Sequence, residues 1–322
     1  MKMPLSSFGV MILGLALASP AALARDDSLV TAVFSSVSNG YTRTKTPDGS
    51  FKRETYAISN GGYATGLTRD HSIDEVKFPV IAGLVAQHLA RQNYFLAQDA
   101  KSADLLLVIT WGTTVPFNDN VNRMAQDTAL AAMNSVASAT ANAKAGGATS
   151  DRGADGIQSP AAAEADAARS VLEGALFQLQ MFNDMRSKAN EHNANLLGYM
   201  KEINSRNDLS RYAGAGTYYD DLIEDIESER YYVIVTAYDF HAATQEKKRK
   251  LLWSTRVSIQ MQGNQFDKSL AAMLANASRH FGQDSGHLIR RYQPSTRVDL
   301  GELKILGMVP QSSMPEKPAS EK

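Results

Sequence analysis

The stretch ADLLLVITW, at residues 103–111, decides the fold of this chain. It is an almost unbroken apolar run, and its length is typical of a strand buried on both faces rather than of a helix. The preceding residues 74–95 carry apolar side chains at helical spacing, and Pro79 predicts that this helix begins near Phe78. A helix followed by a buried strand indicates an α/β architecture.

Residues 25–62 predict β-structure before this helix. Residues 41–45 and 51–58 flank a turn in which Pro47 fixes φ and Gly49 tolerates a positive φ. The pattern predicts a β-hairpin, and the Asn-Gly-Gly sequence at residues 60–62 predicts the end of its second strand.

A second set of α/β segments lies near the C-terminus. Residues 218–228 predict a short acidic helix, and residues 231–240 and 251–260 predict two strands. The polar segment between these strands indicates an antiparallel hairpin, and the second strand alternates, which predicts one buried face. We expect a helix at residues 265–281 and a final strand at residues 298–308.

These segments predict an α/β fold of the α+β type, formed by residues 25–120 and 211–309. Each half places a helix on one face of a mostly antiparallel sheet, which gives a two-layer sandwich. Residues 121–210 interrupt this sandwich as a long inserted α-helical hairpin. Because the insertion joins strands that could otherwise be neighbours, it should project from the sandwich.

The inserted hairpin is predicted from two helical segments around a flexible loop. Residues 121–145 are alanine-rich, residues 146–160 are typical of a loop, and residues 161–204 carry an apolar stripe. The alanines let the second arm approach closely, but they offer little apolar area to cover the stripe. The stripe therefore either packs on the first arm or binds a partner, and the candidate partner-binding residues are Leu172, Leu176, Leu179, Phe182, Met185, Leu196, Met200 and Ile203.

Two strand segments, ADLLLV at residues 103–108 and LLW at residues 251–253, resemble those of a group of exported bacterial α/β envelope domains. Many members of this group have no known function, and the resemblance covers residues 78–111 and 231–281. It implies a two-layer α/β fold in the cell envelope and supplies no catalytic residue. Many members are lipoproteins, whereas this chain lacks the lipidated cysteine and carries the long insertion.

The N-terminal 24 residues match a secretory signal peptide. Lys2 precedes an apolar run at residues 8–18, and an Ala-x-Ala cleavage site lies at residues 22–24. The run is too short to cross a bilayer permanently. We therefore expect a mature chain that begins near Arg25, has no transmembrane anchor, and is periplasmic or, as an alternative, extracellular. Residues 310–322 predict a disordered tail.

Composition argues against several classes of partner and site. The 33 basic and 34 acidic side chains nearly balance, so the chain has no electrostatic footprint for nucleic acid. Cysteine is absent, which excludes disulfides, a thiol nucleophile, a cysteine-ligated metal and a lipid anchor on the mature N-terminus. No catalytic or cofactor motif is present, so we predict neither catalytic residues nor a cofactor.

Two clusters of polar side chains are candidate sites. His280, Asp284 and His287 would share one helical face, where they could bind a metal. Intervening glycines predict instead that the helix ends near Phe281 and that the three are dispersed, so no metal site is expected. The acidic residues around His71, at positions 70–75, could bind a cation or act in acid–base chemistry, but helix capping is the favoured interpretation.

Three functions are compatible with these patterns. The favoured one is a non-catalytic envelope protein that acts as an interaction or assembly module, contacting an envelope partner or its own copy through the hairpin. The second is a periplasmic hydrolase whose site is built from dispersed residues. The third is a small-ligand binder that uses the aromatic residues Tyr231, Tyr232, Tyr238, Phe240 and Trp253.

Overall fold

The computed structural model describes residues 28–66, 69–99, 102–117, 119–145, 159–205 and 216–294. Within these ranges, the strands are β1 (Ser28–Val37), β2 (Glu54–Ala64), β3 (Tyr94–Leu96), β4 (Leu105–Thr113), β5 (Arg230–Asp239), β6 (Leu251–Gln260) and β7 (Ile289–Pro294). The helices are α1 (His71–Asp74), α2 (Phe78–Ala90), α3 (Asp119–Ala145), α4 (Pro160–Leu197), α5 (Met200–Ser205), α6 (Gly216–Glu227), α7 (Phe240–Thr244) and α8 (Phe266–Ser278).

The strands form one sheet in the order β3-β2-β4-β5-β6-β1-β7. Strand β2 is parallel to β3 and β4, and the other neighbouring pairs are antiparallel. The predicted α/β fold, with a mostly antiparallel sheet, helices packed on it and a long helical hairpin, is confirmed.

The first face of the sheet holds the main hydrophobic core. Helices α2 and α8 cover it with buried side chains such as Ile81 and Met273. Trp253, on β6, is fully buried at its centre and stacks on Phe281 with 5.7 Å between ring centroids. The segments predicted as helices at residues 74–95 and 265–281 thus supply the layer above this face.

The second face of the sheet is covered in part by the base of the hairpin. Leu197 and Tyr199, at the end of α4, pack with Leu222 and Ile226 of α6 and with Tyr232 of β5. Strand β6 is consequently buried on both faces, and even its Ser254 and Ser258 are buried. Alternation along this strand predicted only one buried face because it carries no information about a helix that arrives from elsewhere in the chain.

The hairpin is inserted between two strands that pair directly with each other. Strand β4 runs antiparallel to β5 from the pair Leu105–Asp239 to the pair Thr113–Tyr231. Helices α3 to α6 form the connection between these strands. The expectation that the inserted residues join neighbouring strands is therefore confirmed.

Several boundaries differ from the sequence-based prediction. Strand β2 does not end at the Asn-Gly-Gly sequence but continues to Ala64 through a bulge between Asn60 and Gly62. At Gly61, a Cβ atom would lie 2.5 Å from Thr110 Oγ1, so this close approach requires glycine. Residues 41–45 form only one bridge, Lys45 to Phe51, and Arg43 turns inward to lie over the rings of Phe51 and Tyr94.

The second arm of the hairpin is also divided. Helix α4 ends at Leu197, and Gly198 takes the left-handed conformation with φ of 86° before α5 begins. Strands β3 and β7 were not predicted, and the predicted helix at residues 74–95 is wrong at its end, because α2 stops at Ala90 and Tyr94 begins β3. The predicted signal peptide at residues 1–24, the loop residues 146–158, the final strand at 298–308 and the tail at 310–322 lie outside the described residues.

Candidate functional site

Helices α3 and α4 pack against each other along a surface made mainly of alanine. Ala129 and Ala132 cluster with Ala175, whereas Ala139 clusters nearer the hairpin tip with Ala165 and Ala168, so the helices are antiparallel. The buried positions of α3, together with the half-buried Val136, recur at alternating spacings of three and four residues, which is the heptad pattern of a coiled coil. They are Asn122, Ala125, Ala129, Ala132, Val136, Ala139 and Ala143.

Most of the large apolar side chains exposed in the described residues lie on this hairpin. Eight of the thirteen belong to α3 or α4, namely Met124, Leu130, Met133, Val171, Leu176, Phe177, Met181 and Met185. The exposed fraction is 71% for Phe177 and 69% for Met124. Scattered exposed apolar residues are ordinary, but a concentration on one element marks an interaction surface.

The heptad pattern places these side chains on two opposite sides of the helix pair. In an antiparallel helix pair, the same heptad positions of both helices lie on the same side of the seam. Each side of the pair can therefore be described by the exposed residues that the two helices contribute to it. Met124, Val171, Met181 and Met185 share one side, which we call the methionine face. Leu130, Met133 and Leu176 share the other side, which we call the leucine face, and Phe177 lies on the outer edge of α4.

The exposed sides of the hairpin are also poor in charge. Residues 128–143 of α3 and residues 174–183 of α4 contain no charged side chain. A solvent-exposed helix pair normally carries charged residues on its outer positions. The combination of exposed apolar groups and missing charge is the main chemical property of this surface.

Asn193 fixes the base of the hairpin against the sandwich. Its side chain is fully buried, and its amide donates hydrogen bonds to the carbonyl oxygens of Val115 at 3.1 Å and Ile226 at 2.9 Å. These bonds connect α4 to the segment before α3 and to the end of α6. The direction in which the hairpin leaves the sheet is therefore set by a buried polar contact.

Two ionic groups reinforce this attachment. Arg186 of α4 makes a bidentate contact with Glu227 of α6, with both N–O distances at 2.7 Å. Deeper in the fold, Asp225 accepts hydrogen bonds from Arg230, Arg290 and Tyr199. Burial raises the pKa of Tyr199, so its hydroxyl stays protonated and donates to Asp225. These ionic contacts hold the base of the hairpin to α6, β5 and β7.

The structure places the eight candidate partner-binding residues in three environments. Leu172, Leu179 and Phe182 lie half-buried along the seam with α3. Leu196, Met200 and Ile203 pack against the second core. Only Leu176 and Met185 are exposed, and they lie on opposite faces.

The other exposed apolar side chains of the hairpin were missed by the sequence reasoning. These are Met124, Leu130, Met133, Val171, Phe177 and Met181. The spacing of the large side chains predicts that they form the inner stripe, whereas alanine occupies much of the seam. A strict heptad pattern drawn through the alanines of both arms was the signal that could have separated the seam from the exposed residues.

A cavity of about 520 Å³ lies beside the base of the hairpin, between α4, α5 and α6. Its floor is apolar and includes Ala194, Ile203 and Ile223, whereas polar side chains including Ser187 and Tyr219 lie around its rim. The volume is within the range of small-molecule sites, which are concave and mainly apolar with a few polar groups.

The aromatic residues proposed as a ligand face do not form one surface. Tyr231 and Trp253 are buried in the first core, and Tyr232 is buried in the second core on the opposite face. Tyr238 and Phe240 are half-buried. The aromatic side chains thus serve mainly as packing groups.

His280, Asp284 and His287 lie beyond the end of α8, which stops at Ser278. The backbone carbonyl of His280 accepts a hydrogen bond from Ser35, and Asp284 accepts one from the backbone of Gly286. Within the described ranges, no three histidine or acidic side chains come together in a way that could hold a metal ion.

The acidic cluster before α2 caps a helix, as favoured from the sequence. Asp70 is the N-cap of α1 and accepts a hydrogen bond from Ser72 N at 2.7 Å. Burial raises the pKa of this carboxyl, but hydrogen bonds from Tyr231 and Ser72 outweigh it and hold the pKa below its usual range. Asp74 accepts a hydrogen bond from the Tyr63 hydroxyl at 2.7 Å.

Comparison with known proteins supplies no functional assignment. No protein-family model matches the chain, and no curated protein is significantly similar to it in sequence. In the part of the chain that the structure describes, no helix is both long enough and apolar enough to cross a membrane.

Proposed function

We propose that this protein is a non-catalytic, exported cell-envelope protein whose helical hairpin is an interaction module. The concentration of exposed apolar side chains on the hairpin carries the proposal. Burying a fully exposed large apolar side chain contributes about 1.5–3 kcal/mol, and each of these partly exposed side chains would contribute a fraction of that on binding a partner. The rigid base presents this surface away from the sandwich, as a recognition element requires.

The export part of the proposal has a simple test. Removal of residues 1–24 by signal peptidase predicts a mature protein that begins with Arg25. Intact-mass measurement of the protein purified from the periplasm or the medium checks this expectation. Recovery of the uncleaved chain from the cytoplasm would contradict export.

Crosslinking in cells tests the interaction itself. The tagged wild type is compared with a triple variant, Leu130→Lys, Phe177→Lys and Met181→Lys, which places charge on the apolar surfaces. We expect a stoichiometric envelope partner or a second copy on the wild type and its loss from the variant. Recovery of the wild-type protein alone would overturn the proposal.

A matched control variant separates the apolar surface from the added charge. Asn134→Lys, Ser170→Lys and Gln180→Lys add three lysines at exposed positions of the same helices and leave every apolar side chain in place. This variant should retain the crosslinked partner. If both variants lose it equally, added charge rather than lost apolar contact explains the result.

The cavity between α4, α5 and α6 favours small-ligand binding as a second candidate function. An amphipathic ligand that fills it should raise the melting temperature of the protein, since it binds only the folded state. Ser187→Trp would occupy the rim without removing the contact between Arg186 and Glu227, and it should abolish this rise. A rise that persists in Ser187→Trp would place the ligand elsewhere.

The remaining function, a periplasmic hydrolase, stays a prediction from the sequence.

A further inference from the structure

We propose that the partner of the methionine face is a second copy of this chain, so that two hairpins associate into a four-helix bundle. This inference rests on the proposed function and names the partner. The face consists of Met124, Val171, Met181 and Met185, whose exposed fractions range from 43% to 69%. Methionine is flexible and polarizable, so facing methionines can repack against each other.

The charge distribution favours a copy of the same surface as the partner. On the heptad positions of the methionine face, residues 119–145 of α3 contribute no charged side chain, and residues 167–185 of α4 contribute none either. Two identical charged surfaces would repel each other, whereas two uncharged surfaces do not. A partner with a strongly charged binding site would instead bury its charges against this face, where no opposite charge compensates for their loss of hydration.

The shape of the hairpin also suits pairing about a twofold axis. Each hairpin supplies two antiparallel helices, and two such pairs stacked face to face form a four-helix bundle. A twofold axis uses the same patch on both copies, so one apolar face satisfies both. The leucine face cannot serve equally, because Arg169 and Glu173 of α4 lie beside Leu176 on that side.

The area of the methionine face reaches the lower limit of a specific interface. Its uncharged part is about 18 residues long, or about 27 Å, and two adjacent helices are about 20 Å wide. This corresponds to about 540 Å² on each copy and about 1,100 Å² in total, just above the roughly 1,000 Å² at which specific interfaces begin. We therefore expect a dimer that dissociates measurably on dilution.

Sedimentation equilibrium of the mature protein tests this inference. We expect a monomer–dimer equilibrium whose dissociation constant rises at least tenfold in Met124→Lys and in Met181→Lys. The control is Leu130→Lys on the leucine face, whose parent side chain is 59% exposed and which should keep the wild-type dissociation constant. Circular dichroism spectra and melting curves verify that all three variants fold.

A photo-crosslinking amino acid at position 181 in intact cells distinguishes failure of this inference from failure of the proposed function. A conjugate of twice the chain mass, identified by mass spectrometry as chain joined to chain, supports the dimer. A conjugate with a different protein overturns the second copy but preserves the interaction module. A monomer in sedimentation and no conjugate in cells would overturn both, and a dimer that is unchanged by Met124→Lys and Met181→Lys would overturn the assigned face.

Discussion

At the scale of single residues, buried polar groups decide how the elements fit together. Asn193 is the clearest example, since one amide satisfies two carbonyl oxygens from different segments. A buried carbonyl that loses its donor keeps the desolvation cost without the hydrogen bond. The apolar spacing along α4 does not predict this role, because asparagine is a polar residue that is as compatible with the exposed side of a helix as with a buried seam.

We predict that Asn193→Ala lowers the free energy of unfolding by about 1–3 kcal/mol, because it leaves the carbonyls of Val115 and Ile226 without this donor. Urea denaturation followed by circular dichroism measures the change. Asn195→Ala, at an exposed position on the same helix, is the control and should change stability by no more than about 0.5 kcal/mol. Equal effects of the two substitutions would contradict the anchoring role.

The buried His88 and the half-buried His280 predict a loss of stability in mild acid. Burial lowers the pKa of His88 and of His280, and neighbouring arginines lower it further. Below the unfolded-state pKa of about 6.5, the unfolded chain therefore binds more protons than the folded protein, and stability falls as the pH drops towards the folded-state pKa. Full stability from these groups is retained above about pH 6.5.

Urea unfolding at about pH 7.5 and about pH 5.5 tests this prediction. The wild type should lose stability between the two values, and His280→Gln should lose less, since one titrating group is gone. The double variant with His88→Gln should lose less still. If the double variant has the same pH dependence as the wild type, these histidines are not its source.

At the scale of elements, the alanine seam sets how closely α3 and α4 approach. Ala132 and Ala168 are buried between the helices, so a larger side chain at either position would push the helices apart. The close approach leaves the larger apolar residues on the outside, which produces the methionine and leucine faces. The same heptad pattern thus explains both the cohesion of the hairpin and its exposed surface.

We predict that Ala132→Leu destabilises the protein by about 1–3 kcal/mol through overpacking of this seam. Ala141→Leu is the matched control, because Ala141 lies on the exposed outer side of the same helix and helix propensity changes equally. Chemical denaturation of the two variants measures the difference. A seam that accepts leucine at position 132 without loss would show that the helices are less closely packed.

At the scale of the whole molecule, the hairpin has a structural base and an outer part with a separate role. Its base supplies Leu197 and Tyr199 to the core on the second face of the sheet. The outer alanine clusters contain residues of α3 and α4 only. Stability of the sandwich and packing of the outer alanine clusters therefore belong to different parts of one insertion.

This division predicts opposite outcomes for two deletions. Replacing residues 126–179 by a short glycine-rich loop keeps the contacts of Arg186 and Asn193, so the melting temperature should change by less than about 5 °C. Deleting residues 121–210 also removes Leu197 and Tyr199 and should prevent cooperative unfolding, because Tyr232 and Ile226 lose their cover. Calorimetry distinguishes the two, and similar melting curves for both deletions would refute the division.

The sequence by itself determined the helices and strands that are marked by short-range patterns, such as apolar spacing, proline positions and apolar runs. The spacing of apolar residues and Pro79 located the start of α2, and apolar runs located β4 and β6. The alanine content predicted a closely packed hairpin. These signals are readable because a helix or strand has a fixed period, and the side chains it buries must follow that period.

The tertiary structure decided which surfaces those elements cover and which side chains stay exposed. The pairing of β1 with β7 and the burial of both faces of β6 depend on the complete fold. The fold also divides the eight predicted stripe residues between the seam, the second core and solvent. An apolar side chain has the same local pattern whether it faces its own chain or a partner. The difference depends on contacts between segments far apart in sequence, and these exist only when the whole chain has folded.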